Sequence, residues 1–158
     1  MPSTPIMHAR DAISASLAEC YVTINGERYN FMQAINLEAK YEKNKIEVPI
    51  LGKPGKGHKA AGWNGTGSAT FHYNTSIFRK LFLKYQETGE DVYFDIQITN
   101  SDPTATVGSQ TIILKDCNID GGVLAKFDAD GEILDEEMAF TFESVEMPQS
   151  FNEIAGMR

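Results

Sequence analysis

The chain has 158 residues, 42% of them hydrophobic, and a formal net charge of −8. That length suits one domain spanning 1–158 with a genuine core, and no apolar run approaches the ~20 residues of a membrane span, so no membrane binding is expected. The charge is uneven: residues 1–86 hold 11 Lys/Arg against 6 Asp/Glu, and residues 87–146 hold 2 against 15. The net acidity argues against general nucleic-acid binding, which needs a basic surface, and the split suits either plain solvated faces or head-to-tail docking between copies of one chain.

Residues 1–18 carry two prolines, several Ser, Thr and Ala, and little pattern. They are expected to form an N-terminal arm with at most a helical turn after Asp11, and they lack the charged start and apolar block of a secretory signal. Cys20 and Cys117 lie far apart in no metal-type spacing, and are expected as thiols rather than a disulfide. Cys20 to Ile24 reads as a short strand ending in Asn25-Gly26, the strongest hairpin signal in the chain. Glu27 to Phe31 pairs back and runs into a long strand, residues 31–48. In it Phe31, Ile35, Leu37, Ala39 and Tyr41 alternate with Asn36, Glu38, Lys40, Glu42 and Asn44. That period of two predicts one face in a core and one in water.

A basic, glycine-rich excursion follows at residues 49–62. It carries Lys53, Pro54, Lys56, His58 and Lys59 and no acidic residue. It cannot build a core of its own, and is expected either as a solvated loop or as an arm that orders against another subunit. From Trp63 a second strand alternates Ala69, Phe71 and Tyr73 with Ser68, Thr70 and His72.

One helix follows. Asn74 or Thr75 is placed to cap it, Gly89 to end it, and Ile77, Phe78, Leu81, Phe82 and Tyr85 form an apolar stripe at helical spacing. Arg79, Lys80, Lys84 and Glu87 are expected to face away. Asp91 to Thr99 alternates again, with Val92, Phe94, Ile96 and Ile98 inward. Asn100 to Gly108 is a polar turn region. Gln110 to Asn118 is a strand that Gly121-Gly122 breaks before another at Val123 to Phe127. After a turn at Asp128–Gly131, a last strand is expected from Ile133 to Met147, with Met138, Phe140 and Phe142 on one face. Residues 148–158 read as a loose C-terminal tail. The pattern totals about seven strands and one helix. The fold class expected is mainly β (α+β), an antiparallel β-barrel or sandwich with one flanking helix.

Chemistry is hard to place. Gly55-Lys56 is followed by Gly57 and no helix, so there is no phosphate loop. Asp128, Asp130, Gly131 and Glu137 fit an EF-hand frame only with Lys126 in its first ligand position, which argues for a hairpin turn instead. The histidines His8, His58 and His72 are scattered, no zinc spacing occurs, and no Gly-x-Ser-x-Gly elbow is present. The cluster Asp135, Glu136, Glu137 reads as a solvated edge. No catalytic, metal or cofactor site is expected, and the protein is not read as an enzyme.

The runs ILGKPGKGHKAAGWNGTG and YFDIQITNSDPT, with the helix TSIFRKLFLKYQETGED, resemble the tail tube protein of PBSX-like prophages. That family belongs to contractile phage tails and phage-tail-like bacteriocins, and the likeness covers about Tyr21 to Phe142. The resemblance implies a structural subunit whose hexameric rings join their sheets around a channel and stack into a hollow tube for DNA or ions. It implies itself, a tail sheath protein, a tape-measure protein and baseplate or initiator proteins as partners, with DNA only a transient cargo. It implies a place in the virion tail tube, after assembly in the bacterial host cytoplasm. The excursion at Lys53, Pro54, Lys56, His58 and Lys59 then corresponds to a loop that reaches an adjacent ring. The polar face Asn36, Glu38, Lys40, Glu42, Ser68, Thr70 and His72 is the candidate channel wall. The alternatives are a ring-forming secreted tube or carrier of a type VI secretion-like system and, less naturally, a monomeric ligand-binding β-barrel.

Overall fold

The computed structural model describes residues 4–158, so the first three residues of the expected N-terminal arm lie outside the described residues. The chain divides into two compact units. The first gathers the segments up to Met32, from Phe94 to Lys115 and from Val145 to Arg158. The second gathers Gln33–Tyr93 and Asp116–Ser144.

In the first unit, β1 (Ala18–Ile24) pairs antiparallel with β2 (Glu27–Asn30) across Asn25-Gly26. Both turn residues have positive φ, 51° and 81°, as a primed two-residue turn requires. On its other side β1 pairs with β5 (Phe94–Ser101), from Ala18↔Asn100 to Ile24↔Phe94. The order continues β2-β1-β5-β6, where β6 spans Ser109–Gly122, and β8 (Ser144–Gln149) also pairs with β6. Val22, Ile24, Phe31, Phe94, Ile96 and Leu114 are buried here.

Two carboxylates fasten the unit's irregular segments. Asp11 closes a single 3-10 turn (Ala9–Asp11), and its Oδ1 accepts from the backbone N–H and hydroxyl of Thr106 at 2.9 and 2.7 Å. Asp102 accepts from the N–H of Ser14 at 3.0 Å and of Thr104 at 2.9 Å. These donors favour the charged form and hold both carboxyls below the ordinary range, with the Thr106 and Thr104 amides the largest causes. Residues 8–17 are therefore tied to the unit through Asp11 and Ser14. The C-terminal segment is likewise anchored at Asn152, whose N–H donates to the Val107 carbonyl at 2.7 Å. Cys20 is a half-buried thiol that burial pushes up to about 11.

In the second unit the order is β6-β7-β4-β3, with β3 at Ala34–Val48, β4 at Gly57–His72 and β7 at Asp135–Phe142. All the registered pairings are antiparallel. Ala69, Phe71, Met138, Phe140 and Phe142 are buried, and the ring of Phe78 stacks on Phe71 at 5.5 Å. Phe78 belongs to α1 (Ile77–Thr88), which ends at Gly89 in the left-handed conformation with its N–H on the Tyr85 carbonyl. The helix follows Ser76, and the Thr75 hydroxyl receives the Ile77 N–H at 3.4 Å.

Several expectations change. The excursion at 49–62 is shorter, because β4 already begins at Gly57 and the strands leave only residues 49–56 between them. The long first strand begins at Ala34, not Phe31, and lacks the expected core face: 12 of its 15 residues are exposed, Ile35 and Tyr41 among them. Val123 to Phe127 is not a strand, since β6 runs through an irregularity at Ile119/Gly121 and ends at Gly122. The expected strand 133–147 breaks at Glu143 into β7 and β8. Arg79 turns inward rather than away, to a 3.0 Å ion pair with Glu136. Glu136 is 4% exposed, so the acidic cluster is a solvated edge only at Asp135 and Glu137.

Candidate functional site

The β3–β4 hairpin concentrates the expected site residues. Register pairs Asn36 with Thr70, Glu38 with Ser68, Lys40 with Thr66 and Glu42 with Asn64. Side chains alternate across a strand, so these residues share one face. All are exposed except Thr70, which is half-buried. His72 ends the row, paired across β7 with Asp135, and Thr70 pairs with Glu137. The face assembled from Asn36, Glu38, Lys40, Glu42, Ser68, Thr70 and His72 therefore continues onto β7, which the sequence pattern alone did not join to it. Four carboxylates, on Glu38, Glu42, Asp135 and Glu137, meet two ammonium groups. Lys40 lies 3.5 Å from Glu38 and Lys126 lies 3.3 Å from Asp135. Both pairs are exposed enough to add little stability, and they leave the face with an acidic balance.

The opposite face of β4 explains the Gly-Thr-Gly run. Gly65 stands across from Phe142 and Gly67 across from Phe140. A Cβ at either glycine would lie 2.4 Å from the facing phenyl ring. The rings therefore cover bare backbone, a cross-strand aromatic–glycine arrangement that fixes register. Trp63 extends the layer, 6.1 Å from Phe142 and stacked on Tyr41 at 4.8 Å and 20°. Arg79 locks the far end of the unit. Its guanidinium donates to Glu136, to the Val123 carbonyl at 3.3 Å and to the Thr75 carbonyl, and lies 4.3 Å above the Tyr73 ring.

Beyond Trp63 the hairpin has no such support. A register shift between Lys43 and Lys45 leads into the distal part, where Lys45, Ile46, Glu47 and Val48 pair with Ala60, Lys59, His58 and Gly57. The five basic-excursion residues thus divide. Lys53, Pro54 and Lys56 lie in the connection, while His58 and Lys59 are paired strand residues. Pairing also brings an acid to this basic stretch, with Lys56 Nζ 3.4 Å from Glu47. Tyr41 and Ile46 are more than half exposed, and Leu51 at the tip is fully exposed at 103%. The adjacent Ile50-Leu51 pair in a loop was the available sequence signal for an apolar tip.

Asp128 accepts the Asp130 N–H at 3.1 Å, in the turn that the sequence favoured over a calcium loop. What the second unit presents is surface, long and unsupported. Known proteins resemble this chain in sequence and in fold. A phage-like element PBSX protein, XkdM of Bacillus subtilis strain 168, is 42% identical over 116 residues, covering 73% of this chain and 79% of that protein. The fold matches a chain of the extended sheath–tube complex of the PVC extracellular contractile injection system, with TM-score 0.62 and 16% identity over 90% of this chain and 94% of that one. It also matches the SPP1 tail tube, with TM-score 0.61 and 9% identity over 92% of this chain and 83% of that one. The phage tail tube protein family model matches residues 6–149, and the chain belongs to that family.

Proposed function

We propose that copies of this chain form hexameric rings and that the rings stack into the hollow inner tube of a contractile tail or tail-like particle. The protein is a structural tail tube subunit and not an enzyme. The observation that carries ring and stack is the β3–β4 hairpin. Its strands have 15 and 16 residues, β3 pairs only with β4 among the described residues, and little of β3 is covered. A long strand with an open edge and exposed apolar side chains is a template for pairing with another chain. Closure into a ring supplies that pairing without leaving an edge. The hairpin end then reaches the next ring.

The polar face running from β3 through β4 to β7 is assigned to the channel wall. Its acidic balance repels phosphate and limits sticking of DNA as a transient cargo. A sheath around the tube, a tape-measure protein within it and a baseplate or initiator at its end are the partners such a tube needs, with assembly in the host cytoplasm.

Assembly is the test. Negative-stain microscopy and sedimentation should show rings and tubes as concentration rises. Replacing residues 50–56 by a short Gly-Ser link should leave the circular dichroism unchanged, since each doubling of loop length alters closure by only ~0.6 kcal/mol, and should shorten or abolish the tubes. Full-length tubes from that variant would remove the hairpin end from stacking. A protein that stays monomeric at every concentration and salt would overturn the tube itself.

A further inference from the structure

The second unit also contains a recess of about 410 Å³ between α1 and the end of β6. Its walls include Leu81, Phe82, Val92 and Ile119, and Asp91 and Asp120 bring two exposed carboxylates to it. Asn118 lines it as well, and its Nδ2 is buried without a hydrogen-bond partner. A buried amide donor left unmade is costly, so this group is open to an acceptor, whether water or a carbonyl brought by another chain. The recess thus asks for an apolar side chain, a cationic flank and a carbonyl oxygen.

The hairpin end displays that combination. The Lys53 N–H donates to the Ile50 carbonyl at 3.2 Å, and Gly52 has a φ of 85°, the pattern of a type II turn with Leu51 at its first corner. Ile50 folds back over Gly57, where its Cδ1 would lie 3.0 Å from a Cβ, while Leu51 is fully exposed among the described residues. Lys53 and Lys56 flank it, and the turn's carbonyls are at hand.

We propose that Leu51 of one copy seats in the α1–β6 recess of another, with Lys53 and Lys56 set against Asp91 and Asp120 and a carbonyl of the Ile50–Lys53 turn accepting from Asn118 Nδ2. This rests on the tube function proposed above and names the surface that receives the hairpin end. Opposed charges and a single apolar anchor make a small contact that is repeated at every copy, so ring-on-ring association gains strength by number.

The full-length chain tests it through charge exchange. K53E/K56E and D91K/D120K should each raise the concentration needed for tube growth by about tenfold or more, since each replaces attraction by repulsion. The variant carrying all four changes should recover to within about threefold of the unaltered chain. Leu51→Asp, at a side chain that is fully exposed in the isolated chain, should block tube growth with an unchanged melting curve. A four-fold variant no better than either pair, or L51D tubes of normal length, would overturn the seat while leaving the tube standing. A sheath protein or another partner filling the recess would show itself as tubes insensitive to D91K/D120K. No rings or tubes from the unaltered chain would overturn the underlying function and the seat with it.

Discussion

Strands β3 and β7 flank the same strand, β4, and resolve their side chains differently. In β7 exposed and buried positions alternate from Asp135 to Phe140, with Glu136, Met138 and Phe140 turned inward. In β3, apolar and polar residues alternate from Ile35 to Glu42, yet both sides are exposed from Glu38 to Glu47. The backbone pairing is of one kind, so the difference lies in what the other chain segments cover. Phe140 and Phe142 close over Gly67 and Gly65, and the helix brings Phe78 onto Phe71. Nothing comparable reaches Ile46 or Leu51. An apolar alternation therefore reports a surface that must be covered, and not whether its own chain covers it. Under the assembly proposed above, the uncovered half is the half that neighbouring copies would cover.

The largest effect on the covered side should come from Arg79. Its guanidinium and the Glu136 carboxylate are 15% and 5% exposed, and each is the other's charged partner at 3.0 Å. Removing one leaves a buried charge, a loss of about 3–5 kcal/mol. Arg79→Ala should therefore show a greatly reduced urea midpoint with little change in slope. The double variant R79M/E136L should recover most of the loss, because an apolar pair of similar volume is often no less stable than a buried ion pair. A loss below about 1 kcal/mol in R79A would place the pair on the solvated side of the comparison.

A smaller effect tests the glycine–phenyl layer. Gly67→Ala puts a methyl group into the Phe140 ring, which must shift, at a cost of about 1–3 kcal/mol. Phe140→Leu carries its own loss of packing. Combined, the two changes should cost less than their sum, because leucine vacates the space the methyl group needs. Simple additivity in denaturant unfolding would mean that the ring does not lie over Gly67.

The covered half was legible because local rules and packing agree there. Asn25-Gly26 gave its hairpin, Met138, Phe140 and Phe142 their buried face, and Gly89 its helix end. The candidate face Asn36 to Glu42 with Ser68 and Thr70 came together as the period of two demanded. Misreadings cluster where distant segments decide. Arg79 looked like a solvated cation because its partner lies 57 residues away. The attachment of the N-terminal segment at Asp11 was hidden because its partner Thr106 lies 95 residues away. The Gly57–Gly62 stretch looked like a loop because four of its residues are small or glycine, yet pairing with β3 holds it extended. Composition describes what a segment prefers alone, and register with a neighbouring strand outweighs it.

The smallest change in the isolated chain should be the most informative about the uncovered half. Ile46 lies on β3 opposite Lys59 and is 52% exposed. Replacing it by serine removes an apolar side chain that its own chain leaves about half uncovered, so stability should stay within about 0.5 kcal/mol. If neighbouring copies cover it, assembly loses part of the ~1.5–3 kcal/mol that full burial of an isoleucine supplies. About 1.4 kcal/mol per subunit corresponds to a tenfold rise in the concentration needed for association. Ile46→Ser should thus match the unaltered protein in thermal unfolding of the monomer and form tubes only at roughly tenfold higher concentration. Unfolding several degrees lower would show that Ile46 is packed within its own chain, and the contrast between β3 and β7 would shrink. Tubes at unchanged concentration would place this stretch of β3 in water even after assembly, and would confine the neighbour contacts to the rest of the hairpin.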